Sequence, residues 1–203
     1  MVGEQRLQTI MEPEWQTVKM DNKKIINQLK KAMRTKCLIR LKRRFEDCFI
    51  RGYVTDIGAE FFILALVSDR CWYDGFECFR IRDIKSVAID PYRTFTESAL
   101  RKRNALRNKK PNIDLASIEN LLLTANKKFN LVTIHREKVK PEACWIGRVL
   151  EIKKQRVSIL EIGPNAKWDK SPEKHRINEI TRVNFGGDYE NALYLVGGEP
   201  HKT

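Results

Sequence analysis

Asp21 to Arg43 reads DNKKIINQLKKAMRTKCLIRLKR, and Asp114 to Arg136 reads DLASIENLLLTANKKFNLVTIHR. Laid over each other, the two stretches agree at Asp21/Asp114, Ile25/Ile118, Asn27/Asn120, Leu29/Leu122, Ala32/Ala125, Leu38/Leu131 and Arg43/Arg136. Two further stretches follow in the same order. FIRGYVTDI (Phe49 to Ile57) meets CWIGRVLEI (Cys144 to Ile152), with Gly52 over Gly147. RIRDIKSVAI (Arg80 to Ile89) meets RINEITRVNF (Arg176 to Phe185). Three matches in order describe a tandem duplication.

Each copy reads as one helix followed by short strands. Asp21 and Asp114 are placed to cap their helices, since a carboxylate there accepts from the free amides of a first turn. Ile25, Ile26, Leu29 and Met33 fall at helical spacing, as do Ile118, Leu121, Leu122 and Ala125. The period then becomes two: Ile39 and Leu41 share one face of a strand, Arg40 and Lys42 the other. Phe61 to Val67 is apolar throughout, as a strand buried on both faces should be. Gly52 and Gly147 mark a bend or a close backbone approach. Between the copies, Arg93 to Pro111 reads as a basic helix anchored by Ala99, Leu100, Ala105 and Leu106 and ended by the proline.

A helix followed by about five short strands is the pattern of a small barrel. The first copy resembles the Sm-like family of SH3-like barrels in its helix, in Gly52-Tyr53-Val54-Thr55-Asp56-Ile57, in the apolar strand Phe61 to Leu66, and in Phe79-Arg80-Ile81-Arg82-Asp83-Ile84. The resemblance implies a mainly β fold: two helix-plus-small-barrel modules, residues 19–92 and 113–203, joined by a helical connector over 93–112 and preceded by a segment over 1–18. The family's usual Asp and Asn for uridine are replaced by Gly58 and Phe62, and by Lys153 and Val157 in the second copy, so fold carries over better than site. The tail Ile177 to Leu193 also resembles a group of uncharacterised bacterial proteins, which implies no activity.

The chain of 203 residues carries 39 Lys+Arg against 26 Asp+Glu, a formal charge of +13. The excess is uneven: residues 1–110 hold +10 and residues 111–203 hold +3. Such asymmetry is the footprint of a polyanion-facing surface. The candidate nucleic-acid contacts are Arg40, Lys42, Arg43, Arg44, Arg51, Arg80 and Arg82 on the first copy, with Arg101, Lys102 and Arg103 on the connector. Tyr53, Trp72 and Tyr73 are the candidate stacking faces. Single-stranded RNA is therefore one expected partner. A protein partner, with the barrels as adaptor modules and the charge incidental, is the other.

No G-x-S-x-G, G-x-x-x-x-G-K-[ST], H-E-x-x-H or G-x-G-x-x-G occurs, so no enzyme activity and no cofactor are expected. Cys144 with His135 is the nearest thing to a nucleophile and base. The five cysteines are odd in number, without C-x-x-C, and the three histidines are far apart, which points to buried reduced thiols and no metal. Trp72 and Trp168 stand in corresponding loops and read as barrel-end caps, and Asp83 and Glu179 as acceptors of backbone amides. With no long apolar run and no secretory pattern at its start, the chain is expected to be cytoplasmic.

Overall fold

In the computed structural model, which describes residues 21–105 and 110–200, the helical and strand periods give the expected elements in the expected order. The proposed segment 1–18 and Leu106 lie outside the described residues. Helix α1 (Asn22–Thr35) buries Ile25, Leu29 and Ala32, and stops where Lys36 turns left-handed (φ 48°). Strands β1 (Ile39–Arg43), β2 (Ile50–Ile57), β3 (Phe61–Val67) and β4 (Tyr73–Arg80) follow, then a 3-10 turn (Ile81–Asp83) and β5 (Ile84–Ile89). The second half repeats this as α3 (Ile118–Lys128), β6 (Val132–His135), β7 (Cys144–Lys153), β8 (Arg156–Glu161), β9 (Glu173–Arg176), a turn (Ile177–Glu179) and β10 (Arg182–Phe185). Helix α2 (Arg93–Lys102) stands between the halves and α4 (Asp188–Gly197) closes the fold.

The two expected barrels do not form. All ten strands belong to one open antiparallel sheet, ordered β5-β1-β2-β3-β4-β10-β6-β7-β8-β9. The order within each half repeats, but the outer edge of β4 pairs with β10 of the other half, Phe76–Phe79 against Phe185–Arg182. An edge strand with an apolar face must be paired or covered, and here the other half does it. The connector is likewise no spacer. Helix α2 ends at Lys102 rather than at Pro111 and lies on the sheet, burying Leu100 against Leu38, Tyr53, Ala65 and Val67.

The apolar run of β3 serves two cores. Phe62 and Leu64 pack with Ile25 and Leu29 of α1, whereas Phe61 and Ile63 pack with Leu121 and Leu122 of α3. Helix α3 thus covers strands from both halves, with Cys78 of β4 and Val183 of β10 in the same cluster. Asp114 does not cap it. Ser117 does, accepting from the Asn120 amide at 3.1 Å, while Asp114 accepts from the Ala116 amide and the Asn120 side chain. At Gly52 and Gly147 a Cβ would collide with the carbonyl oxygens of Ala65 and Leu160, so both glycines permit a close strand approach. All five cysteines are unpaired, with Cys37, Cys71 and Cys78 buried but Cys48 and Cys144 exposed. Among the described residues no helix is long and apolar enough to cross a membrane.

The seam between the halves is also charged. Arg43 is wholly buried and donates to both oxygens of Glu137 (2.9 and 2.7 Å) and to Glu46 (2.8 Å). Arg182 donates to Glu46 at 2.8 Å and lies 3.7 Å from Glu77. Burial alone would raise the Glu137 carboxyl, but the bonds and charge of Arg43 hold it below the usual range. The duplicated partner of Arg43 behaves differently: Arg136 pairs with Glu179 of its own half at 2.6 Å, so Glu179 accepts a guanidinium rather than backbone amides.

Breaking one partner of such a buried pair costs about 3–5 kcal/mol, because the other charge stays buried, whereas replacing both by apolar groups is close to neutral. Arg43→Met and Glu137→Leu should each lower the urea-unfolding free energy by about that amount, and the double variant should recover more than half of the summed loss. Simple additivity would show that the pair does not act as a unit. Glu77, fully enclosed at the same seam, has its carboxyl pushed up by burial to about 7 from 4.5. The folded state therefore holds this proton where the unfolded chain releases it. Its contribution is whole below pH 4.5 and is lost as pH rises through about 7. The stability of Glu77→Gln relative to the parent should accordingly grow by roughly 3 kcal/mol between pH 4.5 and 7.5. A difference that stays flat with pH in urea unfolding refutes this.

Candidate nucleic-acid interface

The alternation of β1 sorts its cations. Ile39, Leu41 and Arg43 point toward the α1 side and are buried; Arg40 and Lys42 point the other way. Arg40 stands opposite Arg51 of β2 in register, so three cations share that face. The half-buried Phe49 ring lies beneath two of them, with the Arg40 guanidinium carbon 4.3 Å and Lys42 Nζ 4.6 Å from its centroid. On the other flank β5 sets only Ala88 and Ser86 against Arg40 and Lys42. Arg40 and Lys42 are themselves half-buried. Arg51 is paired with Asp69, whose side chain is fully exposed, and such surface pairs contribute little.

The remaining sequence candidates scatter into three groups. Arg44 and Arg82 are exposed at neighbouring turns, where the Arg44 amide donates to the Asp83 carbonyl. Arg101 and Lys102 are exposed at the end of α2, and the next residue, Arg103, lies 4.6 Å over the Trp72 ring while donating to the Arg70 and Cys71 carbonyls. Arg43 and Arg80 are interior: Arg43 in the seam network, Arg80 donating to the Ile180 carbonyl at 2.8 Å and pairing with Glu60. Their guanidinium groups are committed to holding the halves together, which takes both out of any phosphate-facing surface.

Of the expected stacking faces, only Trp72 is open, at 46% exposure. Tyr53 is buried and Tyr73 lies beside it with ring centroids 6.0 Å apart; burial raises both hydroxyls, that of Tyr73 to about 12. Trp168, the counterpart of Trp72, does close off a core, packing on Leu131, Ile162 and Leu193 and donating to the Gly198 carbonyl. Phe49 escaped the sequence reading because nothing local shows that two cations on the neighbouring strand lean over it. A second basic groove, about 360 Å³, was missed as well. The tight turn at Lys154 and Gln155, both with positive φ, brings Lys153, Lys154 and Arg156 beside Lys174 of the edge strand β9. The low net charge of the second half conceals this local cluster.

His135 and Cys144 do face each other across β6 and β7. Burial and Arg182, however, push the His135 imidazole down to about 3, and partial shielding of its sulfur pushes the Cys144 thiol up although the residue as a whole is exposed, so a thiolate–imidazolium pair is doubly disfavoured. Glu161, Glu173 and His175 bring their donor atoms within 4.8 Å of one another, a grouping that the sequence spacing did not suggest. Arg136 can only donate, and it contacts His175 Nδ1 at 3.2 Å, which leaves the proton on Nε2 facing Glu161 at 3.4 Å. A metal would need the lone pair of that nitrogen. The Glu161 contact stops short of a hydrogen bond, and His175 Nε2 and Glu161 Oε1 are both buried without a hydrogen-bond partner. No family model, curated protein or solved structure matches the chain.

Proposed function

We propose that the protein is a non-enzymatic, cytoplasmic binding module that holds single-stranded nucleic acid, RNA in the first place, on the sheet face of its first half. The observation that carries this reading is the Phe49 ring under Arg40 and Lys42, with Arg51 alongside. Single strands are held by cations that track the phosphates and by aromatic faces on which bases stack. Packing on a ring restricts the two cations to one region of the surface, so less side-chain entropy is lost when a phosphate arrives. Arg44 and Arg82 at one group of turns, and Arg101 and Lys102 with the Arg103–Trp72 stack at the end of α2, extend the positive surface beyond that face.

The test is a salt series with a labelled single-stranded RNA, followed by fluorescence anisotropy. Each phosphate contact contributes about 0.7 to the slope of log K against log[salt] on single strands. Replacing Arg40, Lys42 and Arg51 together by Gln should flatten the slope by about 2, while Arg43 is left intact because its loss would unfold the seam. Replacing Lys153, Lys154, Arg156 and Lys174 should change it less. Absence of binding at low salt, or a triple variant with the parent's slope, would overturn the nucleic-acid reading and favour a protein partner.

A further inference from the structure

On the sheet face that carries α1, strands β4, β6, β7 and β10 meet beneath α4 and enclose a cavity of about 230 Å³. Its position follows from register: Glu77 of β4 lies opposite Asn184 of β10, which lies opposite Thr133 of β6. Helix α4 adds Glu190, whose carboxylate accepts the Thr133 hydroxyl at 2.6 Å, and Asp74 stands at the same opening. In a chain of net charge +13, this cavity is lined by three carboxyl groups and by no lysine or arginine.

The hydrogen-bond inventory shows what is left over. Asn184 donates its amide to Glu77 at 3.2 Å, and its oxygen is buried without a partner. Arg182 donates to His135 Nδ1 at 3.1 Å, so the His135 proton sits on Nε2, which is also buried without a partner. These leave one acceptor and one donor; with the three carboxyl groups added, the lining is richer in acceptors, so an occupant that brings N–H groups suits it. Apolar wall is supplied by Leu66, Ile146 and Tyr189, the last with an exposed ring able to lie against a cation. A largely preformed cavity with apolar walls and a few convergent polar groups is the ordinary form of a small-ligand site.

We propose that this cavity binds a small aliphatic cation, a primary ammonium or guanidinium on a short carbon chain. The charged head sits among Glu77, Glu190 and the Asn184 oxygen, and the carbon body lies along the apolar wall. Binding is coupled to a proton. Glu77 faces Arg182 and Arg43, which favour its ionised form, and Glu46 and Glu190, which oppose it, while burial outweighs all four and keeps the carboxyl largely protonated below pH 7. A bound cation favours the carboxylate, so the proton leaves as the ligand enters and affinity rises with pH through neutrality. The inference is independent of the nucleic-acid reading, since the cavity and the Arg40–Lys42 surface share no residue.

Isothermal titration calorimetry of the whole chain at pH 6.5, where Glu77 still holds its proton, tests it in moderate salt, with putrescine and agmatine as probes and neutral 1,4-butanediol as the isosteric control. Saturable one-to-one binding of either cation, and none of the diol, is expected. Glu77→Gln, which stays folded by the stability argument above, should weaken binding at least tenfold and remove the dependence of the heat on buffer ionisation that reports proton release. Glu190→Gln should weaken binding while leaving the proton release in place. No saturable heat at millimolar probe, equal binding of the diol, or a Glu77→Gln variant that binds like the parent would overturn the proposal. Arg40→Gln with Lys42→Gln should leave cation binding unchanged; a loss there would show that the probes act elsewhere.

Discussion

The pairing of Phe76–Phe79 with Phe185–Arg182 joins two halves that would otherwise each present a hydrophobic edge to water, and most of the architecture follows from it. Because β4 and β10 are neighbours, α3 covers strands of both halves and a single cluster runs from Phe61 and Cys78 to Val183 and Phe185. The same adjacency brings Arg43 of the first half to Glu137 of the second. That contact is costly to desolvate and gains little over a well-packed apolar pair. Its effect is on register: a one-residue slip along the seam would turn Phe79 and Cys78 to the wrong faces and leave a buried guanidinium unpaired.

The duplication has not kept the two halves interchangeable. The positions that bury the seam in β4, Phe76 and Cys78, correspond to Pro172 and Lys174 beside and within β9. The second half's free edge thus carries a charge and, just before it, a residue without an amide hydrogen, both common on edge strands that stay single. Arg43 and Arg136 diverge in the same way, one reaching across the seam and the other closing on its own 3-10 turn through Glu179. Equivalent residues acquired different tasks because only one half supplies the inner side of the seam.

The repeat, the helix phases and the strand phases were legible because they are local properties of a few consecutive residues. Ile25 and Leu29, Leu121 and Leu122, and the doubly buried β3 stand where the periodicities put them. Capping was only partly legible: Asp21 stands at the N-cap of α1 but its side chain makes no capping bond, and at α3 Ser117, next to the first apolar residue, caps in place of Asp114. The joining of the halves into one sheet was not legible, because the β4–β10 contact spans about a hundred residues and four paired positions carry no signature. Arg43 is instructive. It shares the phase of Ile39 and Leu41, so the alternation already assigned it to the inner face, yet its charge suggested a surface role. Phase outweighed charge once Glu137 was there to receive it.

The sheet also keeps two opposed electrostatic environments apart. Register traced from β1 to β6 puts Arg40 and Arg51 on one face, and Leu41, Leu64, Glu77, Asn184 and Thr133 on the other. On that second face three carboxyl groups, Glu46, Glu77 and Glu137, meet two guanidinium groups, Arg43 and Arg182. Glu137 and Glu46 take the short contacts, and Glu77, as buried as Glu137, is left at 3.7 Å from Arg182. Two cations cannot neutralise three anions in a medium of low polarity, and the buried carboxyl with the weakest pairing is the one that keeps its proton. The raised Glu77 carboxyl is thus a consequence of charge imbalance at the seam. The cavity above it inherits a group whose charge depends on what occupies the space.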